Sequence, residues 1–265
     1  MDPINQFKEN QKIAWANFMV LENMTGSVAP YLVRFAGATR PVECLDVACG
    51  TGVVALTAAR AGAKVTGLDL TPELIARAKE NAALMKTEAT FLEGDAEALP
   101  FPDAKFDIVM SQFGHMFAPR PDVTIKEMLR VLKPGGTIAF TTWPPELLVG
   151  RWFATMGKYM PPPPPGVIPP VLWGDPNVVR ERLGSAVRDL VFQREQMVFQ
   201  ILSPAHYRVV METNFGPARK LFENLDANDP AKAATLRREM EELAGQYFEN
   251  NTLRQGFLMS RAIKV

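Results

Sequence analysis

The chain has 265 residues, of which 47% are hydrophobic and 22% charged, with 29 Lys plus Arg against 29 Asp plus Glu. That length holds one α/β domain with an elaboration or two small domains, and the composition belongs to a globular chain with a real core rather than a disordered one. Balanced charge leaves no net field for nucleic acid or an anionic membrane.

No run of about 18 apolar residues is present to span a bilayer. The first residues scatter charges through any apolar stretch, so they do not read as a signal peptide and the cytoplasm is the expected compartment. Cys44 and Cys49 lie five apart. At roughly 3.3 Å per extended residue they are too distant to bond unless the chain folds back. Two histidines and no Cys/His cluster give no expectation of a metal site.

In chain order, residues 4–24 carry Phe7, Gln11, Trp15 (or Ala14), Phe18 and Met19 at three- and four-residue steps, which predicts an amphipathic helix. Residues 42–47 predict a strand and 53–61 a helix stopped by Gly62. A strand at 64–70 follows, then Thr71 caps a helix with Pro72 at its first position, running to about Met85. Strands are expected at 90–92 and 106–111. A helix at 122–132 ends at Lys133-Pro-Gly-Gly136, before a strand at 137–142. This alternation predicts right-handed βαβ units and helices on both faces of a parallel sheet.

Beyond Trp143 the character changes, and the stretch 144–176 holds ten of the 22 prolines. Five in a row favour a stiff polyproline rod. Trp152, Phe153, Met156, Tyr159 and Met160 just before it read as a lid, against the plainer reading of a surface connector. A helix at Pro176–Leu183, a long strand at 187–199, a helical stretch at 204–250 and a last strand at 255–264 complete the chain. Leu236, Met240, Leu243 and Tyr247 step by four, three and four, a stripe suited to packing.

These elements amount to an α/β fold: a doubly wound, mostly parallel seven-stranded, Rossmann-like sheet with an N-terminal helix and a helical cap inserted before the last strand. The expected organisation is one structural domain. Its parts are an N-terminal segment (1–40) covering the site, a cofactor-binding core (41–145), a proline-rich lid or connector (146–175), and the end of the sheet (176–265) with its cap at 203–250.

The loop "LDVACGTG" at 45–52 continues to Ala55, and Gly50-Thr-Gly-Val-Val-Ala55 fits a dinucleotide fingerprint. In a doubly wound sheet, ligands sit beyond the strands' carboxyl ends. Ala48, Gly50 and Gly52 let a ligand approach the backbone. Asp69, 17 residues after Gly52, can accept ribose hydroxyls. Up to this point a nicotinamide dinucleotide fits as well.

Three features break the tie. Asp46 beside a pyrophosphate is repulsive, yet suits a ligand carrying an ammonium and a sulfonium. Asp95, in "EGDAEALPF", is placed to accept from an adenine amino group, with Ala96 and Leu70 against the ring. "LKPGG" at 132–136 makes a turn before the fifth strand.

Together these motifs resemble those of the class I S-adenosylmethionine-dependent methyltransferases. The family's D-x-G-x-G-x-G is matched by Asp46-x-Ala48-x-Gly50-x-Gly52, with alanine at 48 departing from the pattern. The resemblance spans about residues 40–142, and within the family the sequence is similar to the quinone-biosynthesis type and related small-molecule enzymes. It implies S-adenosyl-L-methionine as cofactor, S-adenosyl-L-homocysteine as product and no metal. The implied cofactor contacts are Asp46, Ala48, Gly50, Thr51, Gly52, Asp69, Leu70, Asp95, Ala96 and Ser111.

Methyl transfer is an in-line displacement at a carbon already activated by positive sulfur, so a base is optional. His115, in "SQFGHMF" past the fourth strand, is the first candidate base, with a loop-shaping role as the alternative. His206, beside Tyr207, is the second. Cys49 reads as a small inert filler.

The segment after the fourth strand lacks the Asn/Asp-Pro-Pro-aromatic run of nucleic-acid amino-methylating enzymes and the paired glutamates of arginine-methylating ones. Trp15, Phe113, His115, Phe117, Trp143 and Trp152, with Met116 and Phe153, are instead expected around a small, partly hydrophobic acceptor, phenol- or quinone-like or a thiol. No nucleic-acid partner is expected, and the oligomeric state is left open. The competing readings are an NAD(P)-dependent oxidoreductase, which leaves Asp46 and Asp95 unexplained, and a non-catalytic cofactor-binding module.

Overall fold

The computed structural model describes residues 2–16 and 18–265. Strands β1 (Glu43–Val47), β2 (Lys64–Asp69), β3 (Thr90–Glu93), β4 (Phe106–Gln112), β5 (Leu132–Thr142), β6 (Val187–Gln200), β7 (Phe248–Glu249) and β8 (Thr252–Lys264) build one sheet. Its order is β3-β2-β1-β4-β5-β8-β6, with the two-residue β7 folded onto β8. The pairs from β3 to β5 are parallel, whereas β8 runs antiparallel between β5 and β6. The seven long strands are those the sequence predicts.

Helices α1 (Pro3–Trp15), α2 (Glu22–Gly26), α3 (Ala29–Ala36), α4 (Val53–Arg60), α5 (Pro72–Met85), α6 (Pro121–Val131), α7 (Leu148–Gly157) and α8 (Pro176–Leu183) surround the sheet or cover its ends. Strand β1 is buried on both faces. Leu45 and Val47 pack with Leu68, Val109, Ile138 and Phe140, while Cys44 packs with Val65, Val54, Leu32 and Ile108 on the other side. That two-sided burial is why β1 shows no polar alternation. Both cysteines are buried free thiols.

Four details depart from the sequence reading. The single helix expected over 4–24 is broken into α1, a tight turn at Phe18–Leu21, and α2. The break lets Leu21 join the helical core around Trp152 and Tyr207, and lets the Thr25 carbonyl accept the Gln112 amide at 2.8 Å. The Met19 side chain of that expected stripe lies outside the described residues. Thr71 holds the N-cap position of α5 but makes no side-chain cap bond. Lys133–Gly136 do not separate helix from strand. Leu132 already pairs with Phe106, and the register shifts before Ile108 pairs with Thr137, so the glycines form a bulge within β5. Finally, the segment expected as a lid begins as α7, with Trp152 and Met156 fully buried in the helical core; large apolar groups at helical spacing were drawn into packing.

The predicted cap consists of α9 (Pro204–Asn214), α10 (Gly216–Asn228) and α11 (Pro230–Gly245). Each begins with proline in its first turn, and Ser203 and Asp229 cap α9 and α11 by accepting the amides of His206 and Lys232. Leu236, Met240 and Leu243 of the expected stripe are buried. A Cβ on Gly216 would fall 2.0 Å from the Ala14 carbonyl oxygen, so the glycine is what lets α1 lie against the start of α10. No helix among the described residues is long and apolar enough to cross a membrane.

Candidate active site

Strand order reverses beside β1, which has β2 on one side and β4 on the other. A cavity opens at the carboxyl ends of these strands, where such a reversal leaves a crevice. About 190 Å³ of it is open to the centre of a water-sized sphere, many times the roughly 10–15 Å³ that a single water needs.

The wall nearest the sheet is made of strand ends. Residues 48–52 turn sharply, with Ala48 at φ 53°, Gly50 at φ 54° and Gly52 at φ 82°. Alanine at 48 thus takes a left-handed conformation that glycine would adopt more cheaply. Nothing lies within 4 Å of the place a Gly50 Cβ would occupy, so the loop faces open space there. Gly52 does not line the cavity. Its Cβ would meet the Phe91 ring at 2.9 Å, so packing against β3 and the left-handed turn into α4 require the glycine.

Three carboxylates line this wall. Asp69 accepts the Gly50 amide at 2.8 Å and the Thr71 amide at 2.9 Å, joining the ends of β1 and β2. Burial raises its pKa, and these amide bonds oppose the rise. Asp46 accepts the Ala55 amide of α4 at 3.0 Å through Oδ2, while Oδ1 is buried without a protein partner. Burial, with the Asp69 charge adding to it, pushes Asp46 up to about 8. Asp95 accepts the Glu97 amide at 2.8 Å and lies 2.6 Å from the Lys8 ammonium. Lys8 also meets buried Glu97 at 2.5 Å, and Glu97 holds Arg120 at 2.8 Å. The first helix is therefore tied by charge to the third strand's end. Thr51, Leu70 and Ala96 line the same wall.

Much of the remaining lining is aromatic. Trp15 sits 4.7 Å from Phe117, and 5.3 Å from both Phe18 and Phe215, between ring centroids. Phe153 stands 5.7 Å from Phe215. Phe113, at φ 60°, stacks on Trp143 with centroids 3.8 Å apart. Trp152 completes this side.

Besides Gly52, four residues expected at the site fall elsewhere. Ser111 does not line the cavity; its hydroxyl donates to the Val47 carbonyl at 2.7 Å and accepts the His115 amide at 3.1 Å, pinning β4 to β1. His115 is fully buried behind the wall, 4.7 Å from both the Phe140 and Trp173 rings. Neither ring nitrogen has a protein partner. Burial first, and then Arg182 nearby, lowers its pKa to about 3. It is a neutral core group here, outside the cavity lining. The left-handed turn at Phe113 brings that ring to the cavity and sends His115 the other way. His206 is exposed at the start of α9, with Nδ1 accepting the Leu202 amide at 3.2 Å, outside this cavity. Met116, expected around the acceptor, is core.

The sequence reading missed Lys8, Gln11, Met197, Met211, Phe215 and Gln255, all in the wall. Gln255 donates to the Tyr207 hydroxyl at 2.9 Å. Only the Trp15 stripe of α1 carried a signal that could have found Lys8 and Gln11. The others come from distant elements that meet only in the fold.

Comparison with known proteins yields one family match, described as "Methyltransferase domain", over residues 45–140. The uncharacterized protein Rv1405c of Mycobacterium tuberculosis is 36% identical over 249 residues, 93% of this chain and 90% of that one. Demethylmenaquinone methyltransferase of Thermus thermophilus is 41% identical over 107 residues, 40% of this chain and 49% of the relative. The YcgJ protein of Bacillus subtilis shares the fold, with a TM-score of 0.60 at 18% identity over 90% of this chain and 98% of that one.

Proposed function

The chain belongs to the S-adenosylmethionine-dependent class I methyltransferases, and from that premise we propose that it methylates a small, partly hydrophobic acceptor, phenol- or quinone-like or a thiol. The observation that carries this reading is one cavity lined both by carboxylates near the strand ends and by a set of aromatic rings.

The residues of the first wall fit the cofactor. Ala48 and Gly50 turn the backbone toward open space, Asp69 keeps lone pairs for ribose hydroxyls, and Asp95 can accept from the adenine amino group. Asp46 holds a buried carboxyl oxygen with no protein partner, which suits a cationic neighbour. When bound there, the cofactor supplies a methyl group on positively charged sulfur.

The protein's part is then positioning. Trp15, Phe117, Phe153 and Trp152 exclude water and hold a flat apolar acceptor, and alignment of reacting atoms is a large part of what any such enzyme contributes. Phe113 and Trp143, stacked together, form a rigid side to the acceptor space. The two buried free thiols suit the reducing cytoplasm.

The reading is tested by incubating the protein with S-adenosylmethionine carrying a labelled methyl group and a panel of phenols, quinols, thiols and amines. Label transferred to an apolar phenol, quinol or thiol is the expected result. Cofactor binding with no transfer to any acceptor would leave a binding module, and NAD binding in its place would overturn the cofactor assignment.

A further inference from the structure

Gln255 is a buried amide in an apolar part of the cavity. Its strand, β8, pairs with β5 as far as Leu258 opposite Thr142. Three residues further along, Gln255 stands past the carboxyl end of β5 and pairs with Met197 of β6. It is 2% exposed and lines the cavity with Met197, Met211, Phe215 and Trp152. The order β1-β4-β5-β8 sets it three strand spacings, roughly 14 Å, from β1, whose end carries Asp46 and the glycine turn. Among the described residues, the ionisable side chains in the lining are Lys8, Asp46, Cys49, Asp69 and Asp95. They belong to α1 and to the ends of β1, β2 and β3, so the Gln255 end has no formal charge.

Burying an amide among apolar groups costs free energy wherever its donors and acceptors stay unpaired. Gln255 Nε2 donates to the Tyr207 hydroxyl at 2.9 Å, and Tyr207 is itself fixed in the helical core. Among the described residues, that is the one hydrogen bond either side chain makes. The amide keeps an N–H and a carbonyl oxygen for whatever fills the cavity. Turned over, it would take the Tyr207 O–H on its oxygen and still leave N–H groups and a lone pair. In both orientations it offers a donor and an acceptor side by side.

We propose that Gln255 selects the acceptor by binding an uncharged hydroxyl at the end remote from the methylated atom. This rests on the methyltransferase reading above, which puts the sulfur near Asp46 and the reacting atom beside it. A hydroxyl can donate to the Gln255 carbonyl oxygen and accept from its N–H. An ether or ketone accepts alone and leaves the amide oxygen unpaired, and a methyl group leaves both amide groups unpaired. A carboxylate would call for a cation, and this end has none in the lining. Buried polar groups left without partners are what let a site reject an analogue that lacks the hydroxyl. The acceptor is then a flat apolar molecule with a group at each end, one to be methylated and a hydroxyl to be recognised.

The test is calorimetric binding of matched naphthols to the protein loaded with S-adenosylhomocysteine. The naphthols carry a hydroxyl, a methoxy or a methyl group on the far ring. The hydroxyl compound should bind about tenfold or more tightly than the other two. Gln255→Met should erase that preference while S-adenosylhomocysteine still binds. Equal affinity for all three in the unmutated protein, or a methoxy compound that matches the hydroxyl one, would overturn the inference. So would a preference that survives Gln255→Met, an equal loss for all three in that variant, or no binding of any of them to the loaded protein. Should Gln255→Met fail to fold, the ranking in the unmutated protein decides. Failure of S-adenosylhomocysteine to bind the unmutated protein would instead remove the reading beneath.

Discussion

Asp69 Oδ2 accepts the Gly50 amide at 2.8 Å, so the acid ending β2 holds the loop after β1 in its turn. The same carboxylate takes the Thr71 amide at 2.9 Å. Asp69→Ala removes both bonds and any bond to a bound ribose. A hydrogen bond to a charged group is worth about 1.5–3 kcal/mol, so S-adenosylhomocysteine affinity should fall by at least about tenfold by calorimetry. Asp69→Asn should not restore it, because its amide would turn a donor toward backbone N–H groups. Unchanged affinity in either variant would show that the ligand does not engage this carboxylate.

Asp46 sets a pH dependence. Its pKa is about 8 in the folded chain against an ordinary value of 3.8. Between those values the native state keeps a proton that the unfolded chain has released, so this group's contribution lowers stability as pH rises from about 4 to about 8. A sulfonium beside it favours the ionised form. S-adenosylmethionine should therefore bind more tightly as pH rises from about 6 to 8, more steeply than S-adenosylhomocysteine, and should release a proton on binding. Asp46→Asn should flatten that difference. Parallel pH profiles for the two ligands in the unmutated protein would count against Asp46 neighbouring the sulfur.

Lys8 bridges Asp95 and Glu97 with little exposure. Lys8→Met keeps most of the side-chain bulk and deletes the charge, leaving two carboxylates with only Arg120 nearby on Glu97. Breaking a buried pair in this way costs on the order of 3 kcal/mol, about 6–12 °C in Tm for a chain of this size. Residues 3–26 should also become accessible to protease. A Tm within a degree of the unmutated protein, with the segment still protected, would refute the tie between α1 and the site.

His115→Phe should leave cofactor affinity unchanged. Its pKa is lowered from 6.5 to about 3. Below about pH 6.5 the unfolded chain gains a proton that the native ring refuses, and stability falls as pH drops toward 3. Replacing the ring with phenylalanine, between Phe140 and Trp173, also removes two unpartnered buried nitrogens. The fall in Tm between pH 6.5 and 5 should be shallower in the variant. An equal or steeper fall would place the ring in a more polar setting than the fold gives it.

The sheet was legible because Gly, Pro and Asp punctuate it. Each crossover helix is bounded by a turn residue, and Asp46, Asp69 and Asp95 fall at strand ends, where topology alone brings them to one crevice. The aromatic wall was legible only in part. Trp15, Phe117 and Trp143 lie near recognisable elements, whereas Met197, Met211, Phe215 and Gln255 come from β6, the cap and β8, and no local pattern joins them. His115 lies outside the cavity lining because nearness to the end of β4 fixes the end of the sheet but not the side-chain direction. Phe113, itself left-handed, keeps its ring on the cavity while His115 is buried behind it. Ser111 also lies outside the lining, since a hydroxyl at a strand end can serve its own backbone as readily as a ligand.

The most direct test is a crystal structure of the protein with S-adenosylhomocysteine. The account predicts the ribose against Asp69, the adenine beside Asp95, and the sulfur at the junction of the carboxylate and aromatic walls. Density for the molecule in any other place, or an empty cavity at saturating ligand, would contradict it.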